Sequence, residues 1–111
     1  MGKYSRDKGK RFERQLANTL TAYGFPCRRG VQYSGRTGEA DDVVGLKGIH
    51  IEAKNVERLN IWDAMEQAER DANENEYPTV FHTKNRKGVL VSMRLEDWIE
   101  IYREWVKSNG E

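Results

Sequence analysis

Glu52 and Lys54 stand two residues apart in the run Ile49-His50-Ile51-Glu52-Ala53-Lys54. On a strand that spacing points both side chains from one side of the sheet. Asp41-Asp42 precede them, separated by Val43-Val44-Gly45-Leu46 and a tight turn at Lys47-Gly48. Counting back from the turn sets positions 41 and 42 opposite positions 52 to 54, within one residue of register. One acid of the pair therefore lies level with Glu52, and the turn alone leaves open which. Hard oxygen ligands of this kind suit Mg²⁺ or Mn²⁺, which take one or two carboxylates and keep several waters. A neighbouring lysine orients a water or offsets charge building on a phosphoryl oxygen. Glu-x-Lys by itself is common on solvated strand faces. The matching Asp pair and a basic N-terminal arm are what give it weight.

The elements that must position these groups follow from periodicity and punctuation. Ser5 and Asp7 are candidate caps for a first helix running to about Tyr23, with Phe12, Leu16, Leu20 and Tyr23 as its apolar stripe. Gly24 stops it and Pro26 forbids easy continuation. Residues 26–33 read as extended, followed by a polar turn from Ser34 to Ala40. Asn60 caps a second helix, with Asp63 favouring its dipole and Ile61, Ala64, Met65, Ala68 and Ala72 as a narrow buried stripe. Residues 79–83 and 89–93 form a hairpin. A last helix runs from about Leu95 to Val106 with Trp98, Tyr102 and Trp105 on its apolar side, a stripe that reads as core or as a dimer contact. The order α-β-β-β-α-β-β-α makes the chain mixed α/β (α+β).

Length and composition bound the rest. At 111 residues, with 33% charged and 37% apolar residues, the chain is one domain, 1–111, with a modest core. It has no window apolar enough for a membrane span and no secretory h-region, so no membrane association is expected. The single cysteine, Cys27, allows no internal disulfide and reads as a small packed residue. A cytoplasmic location is the expectation. The net charge of +1 conceals a balance of +7 over residues 1–36 and −7 over residues 37–80. A basic arm beside an acidic centre points to a polyanion contact next to a cation site, or to two blocks that pair with one another.

Lys8-Gly9-Lys10-Arg11-Phe12-Glu13-Arg14, Gly24-Phe25, Arg28-Arg29, Asp42-Val43-Val44 and Ile51-Glu52-Ala53-Lys54 together resemble the PD-(D/E)xK nuclease superfamily. More narrowly they are similar to the archaeal-type Holliday junction resolvases and their small phage-encoded relatives, over about residues 5–72. The resemblance implies a restriction-endonuclease-like core, α-β-β-β-α-β, with an added strand and C-terminal helix. It implies a homodimeric, Mg²⁺-dependent endonuclease of DNA recombination that cuts four-way DNA junctions, in a bacterial host cell if phage-encoded. Its catalytic residues map onto Glu13, Asp42, Glu52 and Lys54. Asp42, Glu52 and the Ala53 backbone carbonyl are the implied metal ligands, and an activated water is the implied nucleophile. Two departures stand out. Asp41 occupies the place where the wider fold often has proline, and only ten residues separate Asp42 from Glu52.

The remaining candidates divide between chemistry and ordinary structure. Arg6, Lys8, Lys10, Arg11, Arg28, Arg29 and Arg36 are the expected grip on the DNA backbone, against the alternative of a solvated helix face. Glu13 is either part of the site or ion-paired with Arg6 or Arg14. Gln67 is a metal-proximal glutamine or a surface one, and His50 lies on the Glu52 face at the rim of the site. His82 reads as packed or exposed. Rival functions are another nuclease activity on the same fold, restriction-like or flap-type, and a catalytically silent nucleic-acid-binding module.

Overall fold

The computed structural model describes residues 3–30, 41–85 and 87–110, without the side chains of residues 3–5. The polar turn expected at 34–40, and Arg36 with it, lie outside the described residues.

Among the described residues, three helices and a five-stranded mixed sheet make up the α+β fold. Helix α1 (Lys3–Ala22) ends at Gly24, whose φ of +101° a residue with a side chain rarely adopts. There the Phe25 amide donates to the Leu20 carbonyl at 3.0 Å and the Gly24 amide to that of Thr21 at 2.9 Å. This paired closure satisfies carbonyls that the helix end leaves open. Strands β1 (Arg28–Arg29), β2 (Val43–Val44) and β3 (Ile49–Asn55) follow, then helix α2 (Ile61–Asp71). Strands β4 (Tyr77–Thr83) and β5 (Leu90–Ser92) precede helix α3 (Leu95–Ser108). The sheet runs β1-β2-β3-β4-β5. All neighbours are antiparallel except β3 and β4, which are parallel with α2 as their crossover.

Alternation along β3 sorts its residues onto two covered faces. Ile51, together with Val43 and Phe81, packs against Phe12, Leu16 and Ala17 of α1. On the opposite face Val80, the register partner of Glu52, packs against Ala64, Met65 and Ala68 of α2. Asn60 caps α2 as its sequence foretells, its side chain accepting from the amides of Trp62 and Asp63. Alanines in the buried stripe let α2 lie close to the sheet. His50 and Glu52, which share its face of β3, are buried as fully as the core.

Two sequence expectations are corrected here. Tyr23 is not part of the α1 stripe: it lies beyond Ala22 and is 77% exposed. The Trp98–Tyr102–Trp105 stripe is not core, because α3 has no buried residue. Its three rings instead stack on one another along the helix surface, with centroids 5.2 and 5.9 Å apart. Among the described residues no helix is long and apolar enough to cross a membrane.

Candidate functional site

The site forms where β2 leaves the middle of the sheet. Val43 pairs with Ile51, and the Asp42 amide donates to the Ile51 carbonyl at 3.0 Å, which sets Asp42 beside the Glu52–Ala53 peptide. Its carboxylate then accepts from the Ala53 amide, N to Oδ2 2.8 Å. On the other side, β1 is drawn in by the Gly30 amide, which donates to the Asp42 carbonyl at 2.8 Å. Gly30 is required at this approach: a Cβ there would lie 2.0 Å from the Asp41 carbonyl oxygen.

Asp42 is a strained carboxylate in electrostatic terms. Burial pushes its pKa up most, the negative charges of Glu52 and Glu13 push further, and the Ala53 amide and Lys54 pull back. The balance is about 7, against 3.8 for the free group. Asp42 thus feels the charges of three other residues marked by sequence, Glu52, Glu13 and Lys54.

Glu52 is held from two directions. Its Oε1 lies 3.0 Å from His50 Nε2, and its Oε2 lies 3.7 Å from Lys54 Nζ. Lys54 also donates to Gln67 Oε1 at 2.9 Å, so α2 supplies a positioning group. His50 Nδ1 is hydrogen-bonded to Asp41 Oδ1. Burial, the largest single influence on His50, opposes its protonation. The hydrogen bonds and charges of Asp41 and Glu52 together outweigh burial and raise its pKa to about 10. At neutral pH His50 is therefore an imidazolium bridging two carboxylates. It sits inside the acidic centre rather than at the rim expected from sequence.

Acidic and histidine side chains cluster here at metal-ligand distance, as a divalent site requires. Asp41, His50 and Glu76 form one group and His50, Glu52 and Asp71 another, each with ligand-capable atoms within 4.8 Å of one another. Asp42 and Glu13 belong to neither group. In the metal-free protein a protonated His50 offers no lone pair, so a hard cation would meet the carboxylates around it first, and coordination by His50 would require the loss of its proton. Asp71 and Glu76 were not among the residues marked by sequence. They arrive because the parallel register sets Tyr77 beside Ile49, which brings the end of α2 and the turn after it over His50.

The basic residues are placed less uniformly than the sequence reading had them. Arg29 Nε donates to Glu13 Oε1 at 3.0 Å, so the ion pair that Glu13 makes runs across to β1, where the alternative reading of Glu13 had Arg6 or Arg14 as its partner. Arg28 is exposed on the same short strand, its guanidinium donating to the Arg29 carbonyl at 3.1 Å. Arg6, Lys10 and Arg11 are exposed on α1 and Lys8 is half-buried. His82 is partly buried, with Nε2 2.8 Å from Ser92 Oγ. Cys27 is partly buried against the α1-side core, as a small packed residue should be. Among the described residues no buried side-chain polar atom lacks a hydrogen-bond partner, so the ionisable centre is fully engaged. No family model, no curated protein and no solved structure matches this chain.

Proposed function

We propose that this chain is a divalent-metal-dependent DNA endonuclease, with four-way junctions as its preferred substrate. The observation that carries the reading is the convergence on Asp42. A half-buried carboxylate is fixed by the Ala53 amide between Glu52 and Lys54 and pushed to about 7, by burial first and then by the charges of Glu52 and Glu13. Carboxylates gathered at such electrostatic cost are relieved by a cation, and hard oxygens select Mg²⁺, with Mn²⁺ as a substitute. Asp42, Glu52 and the Ala53 carbonyl would hold it. A bound ion of this kind supplies an activated water and polarises the phosphoryl group.

The chain's own residues do the rest. Lys54, braced by Gln67, presents its ammonium where charge grows on the scissile phosphate. His50 holds Glu52 and Asp41 apart and fixes the Glu52 carboxylate in one orientation. Glu13 keeps Arg29 at the edge of the site, from where Arg29 can reach a phosphate flanking the cut. Arg28 and the exposed cations of α1 extend that contact along the backbone without reading base edges.

Resolving a junction needs two symmetric incisions, which a two-fold homodimer supplies. The exposed aromatic side of α3 is a surface that pairing would cover. The decisive experiment is Mg²⁺-dependent nicking of a labelled four-way junction beside linear duplex of the same sequence. Junction-selective nicking that EDTA abolishes is the expected result. Equal cutting of both substrates would favour a general nuclease of the same fold, and no cutting with retained binding a silent module.

A further inference from the structure

A concavity lies beyond Lys54 on the α2 face of the sheet. It is a groove of about 590 Å³ at the carboxyl ends of the parallel strands β3 and β4, closed by the β4–β5 turn. Ligands favour this end of parallel strands, where backbone and loops diverge. Its floor is apolar, with Val56, Leu59 and Leu90, and its rim is basic, with Arg58, Lys84 and Lys87. The rim's acid, Glu57, accepts a hydrogen bond from the Asn85 side chain at 2.7 Å, which ties the turn to the β3–α2 connection. The turn is also built internally. The Lys87 amide donates to the Lys84 carbonyl at 2.8 Å, Thr83 Oγ1 donates to the Lys87 carbonyl at 2.7 Å, and Asn85 takes a positive φ of 39°. The backbone of both lysines is therefore engaged in hydrogen bonds.

His82 lines the groove and is the register partner of Lys54. Adjacent strands lie about 4.8 Å apart, so the groove opens within one nucleotide's length of the Lys54–Glu52 pair. Burial lowers the His82 pKa, and the ring meets Ser92 at 2.8 Å, so this wall is neutral and already partnered.

We propose that this groove binds an unpaired stretch of the DNA strand that passes the candidate active site. Phosphates would lie against Arg58, Lys84 and Lys87, and sugars or base faces on Val56, Leu59 and Leu90. The apolar floor discriminates between forms of DNA. A duplex shows a protein mainly phosphates, sugars and base edges, whereas a single strand offers the flat apolar faces that such a floor can cover. This inference rests on the nucleic-acid reading above and adds the strand form and the place where it lies.

The test is fluorescence anisotropy in EDTA, with fluorescein-labelled (dT)10 and a labelled duplex as probes, titrated across salt. For Lys84→Ala/Lys87→Ala the expected results are weaker (dT)10 binding by about tenfold and a salt slope smaller by about 1.4, from roughly −0.7 per phosphate contact on single strands. Leu90→Ser, at a residue already 64% exposed, should weaken (dT)10 binding and leave duplex binding and the salt slope alone. Circular dichroism of both variants verifies that the fold is retained. Unchanged (dT)10 affinity in both variants overturns the proposal. So does competition by poly-glutamate equal to that by unlabelled (dT)10, which would mark an acidic-peptide site, or thymidine monophosphate binding as tightly as (dT)10. Because binding is read without metal, the two readings separate. Nicking with groove-independent (dT)10 binding removes only this inference, and groove-dependent binding without nicking removes only the nuclease.

Discussion

Asp42 and Ala53 are joined by a side-chain-to-backbone hydrogen bond of 2.8 Å that crosses from β2 to the middle of β3. It makes the position of the carboxylate a consequence of sheet register: shift β2 by one residue and Asp42 leaves the Glu52–Lys54 side of the strand. The site is therefore built by pairing, and substitutions that leave pairing intact should separate chemistry from folding.

Glu52→Gln and Lys54→Ala should each lower cleavage by at least about 10²-fold while junction binding stays within a few-fold. Affinity is spread over many backbone cations, whereas these two groups act at one phosphate. Single-turnover nicking beside a gel-shift titration reads both. Wild-type rates in either variant would remove these residues from the chemistry.

Asp42→Asn should be far more damaging to cleavage than Asp41→Asn. Asp41 is hydrogen-bonded to the His50 imidazolium, whereas Asp42 accepts from a neutral amide and is lifted by burial and then by neighbouring carboxylates. An inactive Asp41→Asn beside an active Asp42→Asn would shift the site to the Asp41–His50–Glu76 group.

Stability of the metal-free protein should fall as pH rises. Asp42, raised from 3.8 to about 7, holds its proton better folded than unfolded, so its stabilising share is full below about 4 and is lost as pH passes 7. His50, raised from 6.5 to about 10, has the same sign: its share is full below about 6.5 and is lost on the way to 10. Thermal melts in EDTA from pH 5 to 10 should decline, with a flatter decline in Asp42→Asn below pH 7 and in His50→Gln above it. Mg²⁺ that binds at Asp42 competes with its proton, so stabilisation by Mg²⁺ should be greater at pH 8 than at pH 6. A Mg²⁺ effect independent of pH would argue against Asp42 as a ligand.

Gly30→Ala should cost about 1–3 kcal/mol, since the added carbon overlaps the Asp41 carbonyl and β1 must back away. Cleavage should fall with it, because the Gly30–Asp42 hydrogen bond stretches as the strand retreats. Gly9→Ala, with open space around the new Cβ, is the matched control. Denaturant titration of the pair compares them directly, and equal stability would mean that β1 moves freely.

What could be read from the chain before its fold was known follows a physical division. Asn60, Gly24, the Lys47-Gly48 turn and the alternation of β3 are local signals, and each appears where its chemistry requires. Asp71 and Glu76 were not legible as part of the site. Asp71 and Glu76 come to His50 through the parallel register of β3 and β4, which depends on how α2 crosses the sheet and on nothing in the residues' own spacing. The aromatic stripe of α3 read as core or dimer contact, and its spacing could not separate the two for a related reason. Periodicity reports that a helix has an apolar side, not whether the same chain covers it.

That uncovered helix has a thermodynamic consequence. A helix of 14 residues is marginal in water on its own, and α3 is tied to the sheet by polar contacts such as Tyr77 to Glu100 at 2.8 Å, with no buried side chain to add. Its amides should open without waiting for the rest of the protein, as a separate unit near the bottom of the local-stability scale, while those of β3 and β4 should exchange only through global unfolding. In dilute protein, hydrogen exchange should mark α3 as the fastest of the three helices. If a second copy covers Trp98, Tyr102 and Trp105, protection in α3 alone should climb with protein concentration, and its amides would then report the dimer's population directly.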